Sequence, residues 1–213
     1  MKIFVFSDSH LRAKYDKEFF DWVKHWSEKV DRVIICGDFW DRDLITFEKF
    51  IHSDWKNTLF PLLKSKNTHY IYGNHDLEED SDNNVSIFSQ SQSNMLNLDL
   101  DGVKYHFEHG DGLVNDLHLG FLGKLGLGYW IQYYGFKIFG KGFLNMYKYL
   151  IDEIRESWKD KERFLICGHT HYGAIEKNFF VLNSSAFGLL YGLIIDDGKL
   201  IEIHKYEKTT KRG

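Results

Sequence analysis

Residues 165–174 read LICGHTHYGA. An apolar run stops at a glycine, and two histidines follow with one residue between them. In an extended chain side chains alternate faces, so His169 and His171 would leave the same face at the end of a buried strand. Paired imidazoles there suit a metal ion; two surface histidines after a strand would look the same. The fragment leaves both readings open, and the rest of the chain has to decide.

The same grammar recurs upstream. Lys2 to Phe6 is an apolar run ending at Ser7-Asp8-Ser9-His10. RVIIC, 32–36, ends at Gly37-Asp38, and HYIY, 69–72, ends at Gly73-Asn74-His75-Asp76. Val103 to Phe107 runs toward His109-Gly110-Asp111, and RFLIC, 163–167, leads into Gly168-His169-Thr170-His171. Between these runs lie helical patterns. Residues 16–29 carry Phe19, Phe20, Val23, Trp26 and Val30 at helical spacing. Residues 45–64 read as helix that Pro61 should bend or restart, and Leu144 to Trp158 as another helix. Alternation of strand and helix predicts an α/β sheet. Polar residues at the carboxyl ends of its strands predict a ligand site there. Leu96 to Leu100 and Val103 to Phe107 flank Asp101-Gly102, a hairpin signal. Phe179 to Tyr206 reads as two or three antiparallel strands with a turn at Asp197-Gly198, and EKTTKRG as a frayed tail.

The chain has 213 residues, 43% hydrophobic and 27% charged, which fits one domain, 1–213, with a sizeable core. Cys36 and Cys167 each precede a glycine at the end of an apolar run, and read as buried free thiols in a reducing cytoplasm. MKIFVFSDSH is too short in its apolar part for a signal peptide. No stretch is long enough to span a bilayer. A net charge of −4 gives no reason to expect nucleic acid.

Five strand ends therefore carry Asp, His and Asn, donors that suit borderline-hard divalent ions such as Mn²⁺, Fe²⁺ or Zn²⁺. They exceed what one tetrahedral ion needs, so two ions are expected, bridged by a carboxylate on a central strand. Blander readings apply elsewhere. Asp76 could cap a helix. His106 is out of phase and reads as a strand residue, while His25, His52, His69, His118 and His204 read as surface or packing histidines. Glu78, Glu79 and Asp80 read as a solvated acidic run.

The ordered blocks resemble the calcineurin-like metallophosphoesterases, whose pattern is D-x-H, G-D, G-N-H-[DE], a lone His and G-H-x-H. All five are present in order between Asp8 and His171. The resemblance implies a four-layer αββα sandwich of two mixed sheets between helices. It implies that Asp8, His10 and His171 hold one metal, that Asn74, His109 and His169 hold a second, and that Asp38 bridges them. Mn²⁺ is the first choice of ion, with Fe, Zn or Ni as alternatives. His75 would protonate the leaving oxygen and Asp76 would orient His75. A metal-bridging hydroxide would attack phosphorus in line, giving a phosphoesterase with no nucleophilic side chain. VLNSSAF, 181–187, resembles the family segment that returns near the site.

Residues 117–151 hold four lysines, seven glycines, many aromatics and no Asp or Glu. Their longest uncharged run, Leu125 to Phe136, is twelve residues, too short to cross a bilayer. The stretch reads either as a packed subdomain or as a cap beside the metals that meets an anionic amphiphile or membrane surface. An insertion after His-Gly-Asp is similar to that of the UDP-2,3-diacylglucosamine hydrolases, pyrophosphatases of a lipid-linked nucleotide in which it forms an acyl-binding lid. The bacterial members often carry Arg where this chain has His75, so the wider family is the reading taken. The expected partner is a phosphorylated small molecule or a lipid-linked substrate, in a cytoplasmic protein that touches the membrane peripherally through 117–151. A non-catalytic scaffold of the same fold is the alternative from another class.

Overall fold

The computed structural model describes residues 1–81, 84–114, 134–135, 138–139, 141–182 and 189–207. Each apolar run forms a strand because it has something apolar on both sides. In β1 (Lys2–Phe6), Phe4 and Phe6 face a helical layer while Ile3 and Val5 face a second sheet. In β2 (Arg32–Cys36), Val33 and Ile35 face the helices and Ile34 and Cys36 the second sheet. Strands covered on both faces read as unbroken apolar runs rather than alternating ones.

The first sheet has the order β11-β10-β1-β2-β3-β4, with β3 at His69–Ile71, β4 at Ser91–Ser93, β10 at Leu189–Asp196 and β11 at Lys199–Glu207. β1 to β4 are parallel; β10 pairs antiparallel to β1, and the edge strand β11 pairs antiparallel to β10 and so runs in the direction of β1. The second sheet has the order β5-β6-β7-β9-β8: β5 Met95–Leu100, β6 Val103–Glu108, β7 Phe164–Cys167, β8 Ala174–Ile175 and β9 Phe179–Val181. It too is mixed, since β6, β7 and β9 are parallel while β5 and β8 run against them. α1 (Lys17–Ser27), α2 (Phe47–Ile51) and α3 (Leu59–Ser65) cover the outer face of the first sheet, and α4 (Lys148–Trp158) that of the second. This is the expected sandwich of two mixed sheets flanked by helices.

Local chemistry sets the element ends. Asp16 caps α1 by accepting from the Phe19 N–H at 3.1 Å. Trp22 joins Phe19 and Val23 in the buried face of α1, while Phe20 and Trp26 are only partly covered. The helix expected over 45–64 is interrupted at Asp54–Asn57 by a 3₁₀ turn, where Trp55 plugs the core and donates to the Arg12 carbonyl at 2.7 Å. Pro61 then sits in the first turn of α3, where its missing N–H costs nothing. Asp101 and Gly102 have φ of 48° and 82°, as a two-residue hairpin turn needs. β4 was not expected: Ser-Gln-Ser carries no apolar signal and joins the sheet edge through its backbone.

The two cysteines are buried free thiols. Among the described residues no helix is long and apolar enough to cross a membrane. Most of the expected cap (117–133, 136–137 and 140), residues 183–187 of VLNSSAF and the tail 208–213 lie outside the described residues.

Candidate metal centre

The loops after β1, β2, β3, β6 and β7 meet at one edge of the sandwich, between the two sheets. Backbone hydrogen bonds stitch them together. Asp8 donates to the Gly37 carbonyl at 3.1 Å, His10 to that of Asp38 at 2.9 Å, and Gly168 to that of His109 at 2.8 Å. Gly37 has φ of 81°, and a Cβ there would overlap the His109 ring. A Cβ on Gly168 would overlap Ser7 Oγ and Asp8 Oδ2. Both glycines are needed because ligand-bearing loops press against them.

Asp8, His10, Asp38, Asp101, His169, His171, Asn67 and Asp197 have positive φ without being glycine, and five of these eight are expected ligands. A left-handed backbone costs such a residue about 1–2 kcal/mol. Strain concentrated in this way belongs to functional sites, where packing elsewhere holds it in place.

One ligand atom from each of Asp8, His10, Asp38 and His171 lies within 4.8 Å of the others. His10 Nε2 and His171 Nε2 are 3.2 Å apart, and His171 Nε2 is 3.3 Å from Asp8 Oδ1. A second group faces it. Asn74 Oδ1 lies 3.0 Å from His109 Nε2 and 2.9 Å from His169 Nδ1. Asp38 Oδ2 stands between the groups, 3.6 Å from His10 Nε2 and 3.3 Å from His109 Nε2. The His75 backbone N–H occupies the other oxygen, Asp38 Oδ1, at 2.9 Å. Nitrogen and carboxylate donors converging at these separations fit divalent cations with bonds of about 2.0–2.2 Å.

The imidazoles of His169 and His171 do not leave one face of an extended strand. β7 ends at Cys167, and φ values of 68° and 55° at the two histidines send one ring to Asn74 and the other to Asp8. The expectation of a shared face is corrected: the pair is divided between the two groups.

Asp76 also departs from expectation. Its fully buried carboxylate accepts from the backbone N–H groups of Gly73 at 2.6 Å, Asp38 at 3.1 Å and Phe39 at 2.6 Å. It braces two ligand loops and does not orient His75. Burial and the neighbouring Asp38 push its carboxyl up to about 7. The carboxylates beside His75 are Asp41 and Asp43, each 3.4 Å from His75 Nδ1. Asp41 Oδ2 is also 3.2 Å from His10 Nδ1. Burial opposes the His75 imidazolium, but Asp41, Asp43 and Asp38 outweigh it and push His75 up to about 11. Burial likewise opposes charge on His109, and Asp38 and Asp8 still push it up to about 10. Burial and His109 push His169 down to about 3. Histidines and carboxylates that perturb one another this strongly in one buried cluster mark a candidate functional site.

Sequence reading missed Asp41. Its only signal is its place three residues after Asp38, and nothing in that spacing distinguishes it from Asp43. His106 and His69 are engaged away from the centre. His106 packs on Trp158 at 5.0 Å between ring centroids, and His69 is buried between Ser91 and Ser93.

The family model of the calcineurin-like phosphoesterase superfamily domain matches residues 1–186. The chain belongs to this superfamily. Members of the calcineurin-like superfamily typically bind divalent metals, and the described His/Asp groups here are candidate ligands. The match is to the broad domain and does not single out the UDP-2,3-diacylglucosamine hydrolases. No curated protein matches the chain. Among solved structures it is similar to wild-type Vps29 of Entamoeba histolytica complexed with Zn²⁺, at 16% identity over 99% of this chain and 94% of that one, TM-score 0.50. It is also similar to a protein of Thermotoga maritima (18% identity, 97% and 99% covered, TM-score 0.47) and to the E. coli phosphoesterase Yfce (12%, 97% and 100%, TM-score 0.46). At these identities the likeness concerns the fold alone.

Proposed function

We propose that the chain is a binuclear metal-dependent phosphoesterase that hydrolyses a phosphate ester or diphosphate. The observation that supports this best is Asp38 Oδ2, within 3.6 Å of His10 on one side and 3.3 Å of His109 on the other. Asp8, His10 and His171 would hold one ion, Asn74, His109 and His169 the other, and Asp38 both. Mn²⁺ suits this mixture of nitrogen and oxygen donors, as do Fe²⁺, Zn²⁺ and Ni²⁺. When bound, two such ions supply Lewis acidity toward the phosphoryl oxygens and acidify water to near neutral.

The protein's own groups supply the rest. His75 is partly exposed beside the centre and held protonated by Asp41 and Asp43, so it donates a proton to the leaving oxygen. Asp41 fixes His10 through Nδ1, leaving its Nε2 toward Asp38 and His171, and lies 3.4 Å from His75 Nδ1, where its charge favours the imidazolium. Asp76 holds the backbone of the Asp38 loop. The substrate is a phosphorylated small molecule or a lipid-linked one. A pyrophosphatase of the UDP-2,3-diacylglucosamine type is the narrower version of this reading, and a non-catalytic scaffold, a role the fold likeness to Vps29 keeps in view, is its rival.

Elemental analysis after reloading with Mn²⁺, combined with turnover of an aryl phosphate monoester, an aryl diester and a nucleotide diphosphate, tests it. Near two ions per chain and hydrolysis of at least one substrate are expected. His75→Ala should lower turnover by about 10²–10⁴-fold while metal content stays near wild type. One ion or fewer per chain would sink the binuclear reading, and full loading without any hydrolysis would favour the scaffold.

A further inference from the structure

On the outer, helical side of the first sheet lies a groove of about 570 Å³. It is bounded by the end of α2, the 3₁₀ turn at Asp54–Asn57, α3 and a second 3₁₀ turn at Asn84–Ile87. Its apolar walls are Ile51, Phe60, Pro61 and Ile87. Phe60 is fixed in the core at 2% exposure, while Ile87 is 37% exposed. A volume of this size falls in the range of small-molecule sites, about 300–1,000 Å³, which are mostly apolar with a few polar groups. No lining residue is an expected metal ligand, so the groove is not part of the metal centre.

Charge identifies the occupant. Lys56 and Lys64 line the groove and no carboxylate does. Elsewhere lysines are neutralised: Lys2, Lys17, Lys24, Lys104 and Lys159 each pair with an acid. Among the described residues neither Lys56 nor Lys64 has an ion pair. Lys64 is held in place, because its ammonium donates to the Ser89 carbonyl at 2.7 Å, two residues past Ile87. An ammonium has three N–H donors, so two remain for a ligand. Glu48 of α2 and Asp54 of the neighbouring turn are exposed and lie outside the lining. His52 also lines the groove; its Nδ1–H goes to the Glu48 carbonyl at 2.8 Å, and it adds no negative charge. Two cations without acids beside apolar walls fit an anion with an apolar body. Inorganic phosphate would leave the walls unused, and an uncharged alkane would leave the lysines unused.

We propose that the groove binds a fatty carboxylate, with its chain against the apolar walls and its head group at Lys56 and Lys64. Burial of chain methylenes supplies most of the affinity, and the lysines select the charge of the head group. Binding here needs neither metal nor hydrolysis, so this site and the phosphoesterase reading can fail separately.

Calorimetric titration of the intact chain with dodecanoate, below the concentration at which it forms micelles, tests this. Saturation at a single site is expected. Decanoate should bind about threefold to tenfold more weakly, because two fewer methylenes are buried. Dodecyltrimethylammonium, with the same chain and the opposite charge, and acetate, with no chain, should not bind. Ile87→Glu puts a carboxylate in an exposed wall position and should weaken dodecanoate binding by about tenfold or more. Lys56→Gln should weaken it by about twofold to fivefold. Both variants should keep the parent's melting temperature and its rate on a small aryl phosphate. The proposal is overturned if the parent takes up no dodecanoate, if Ile87→Glu binds it as the parent does, or if dodecyltrimethylammonium binds equally well. It is also overturned if light scattering shows a dimer that Ile87→Glu dissociates, since a second copy of the chain then covers the groove.

Discussion

Asp41→Asn removes one negative charge and almost no volume, which makes it a sharp probe of how the centre is held. Asp41 Oδ1 accepts from the Asp43 N–H at 3.0 Å and lies 3.4 Å from His75 Nδ1, while Oδ2 lies 3.2 Å from His10 Nδ1. An amide has only one acceptor oxygen. If that oxygen stays with Asp43 and His75, the NH₂ group faces His10 Nδ1, donor against donor. His10 can avoid the conflict only by moving its proton to Nε2, the atom 3.6 Å from Asp38 Oδ2, where a metal ligand needs a lone pair. A charge-assisted hydrogen bond is worth about 1.5–3 kcal/mol, and loss of such a partner costs about 10–100-fold in metal affinity. Asp41→Asn should therefore need about 10–100-fold more Mn²⁺ for half-maximal turnover. At saturating metal it should recover much of its rate, because His75 keeps Asp43 nearby. Asp41→Ala frees both imidazoles and should not recover. Turnover titrated against free Mn²⁺, with bound metal measured in parallel, reads both effects. If Asp41→Asn matches the parent in both, Asp41 does not set the His10 tautomer and the reasoning fails.

The remaining predictions concern packing and acid stability. Gly168→Ala places a methyl against Ser7 Oγ and Asp8 Oδ2; it should cost about 1–3 kcal/mol of stability by overpacking and also lower metal content, read by thermal melting and elemental analysis. Burial and the Arg32 charge push His69 down to about 4, below the 6.5 of an exposed imidazole, so the unfolded state binds the extra proton first. Stability linked to His69 is thus present above about pH 6.5 and is lost as pH falls toward 4, by roughly 1–3 kcal/mol. His69→Gln should flatten the difference in melting temperature between pH 4.5 and 7.5, and an unchanged difference would show that His69 is not protected from protonation.

Much of the centre was legible because each ligand type follows an apolar run, and a buried strand makes its loop predictable. Asp38 stood out as the acid after the β2 run, and the structure sets its Oδ2 between the two groups. What sequence could not show are contacts made by loops from different strands. Asp41 matters because His10, from the β1 loop, and His75, from the β3 loop, converge on it. Asp76 sits next to His75 in sequence, yet its carboxylate turns inward to three N–H groups, since neighbours in a tight loop point apart. β4 was invisible for a different reason. Its Ser91 and Ser93 hydroxyls meet the two nitrogens of His69 at 2.7 and 2.8 Å, a polar pairing that no apolar pattern signals.

The histidine pair from which the reading began shows the limit most clearly. The i, i+2 spacing suggested a common face because it was read with the extended geometry of the strand before it. The backbone is left-handed at both positions, as it is at Asp8, His10 and Asp38. One physical cause accounts for all five. A strand delivers its last side chain up or down from the sheet, and neither direction points along the strand axis toward the edge where the loops meet. Reversing φ at the ligand turns the chain back on itself and aims the side chain off the strand end. The adjoining glycines let the neighbouring loop close over that turn, which is why Gly37 and Gly168 have no room for a Cβ. In D-x-H and H-x-H, therefore, the spacing of two does not align two ligands on one face. It leaves a residue between two reversed positions, so that a short loop can aim two ligands independently: Asp8 and His10 into one group, but His169 to Asn74 and His171 to Asp8, one in each group.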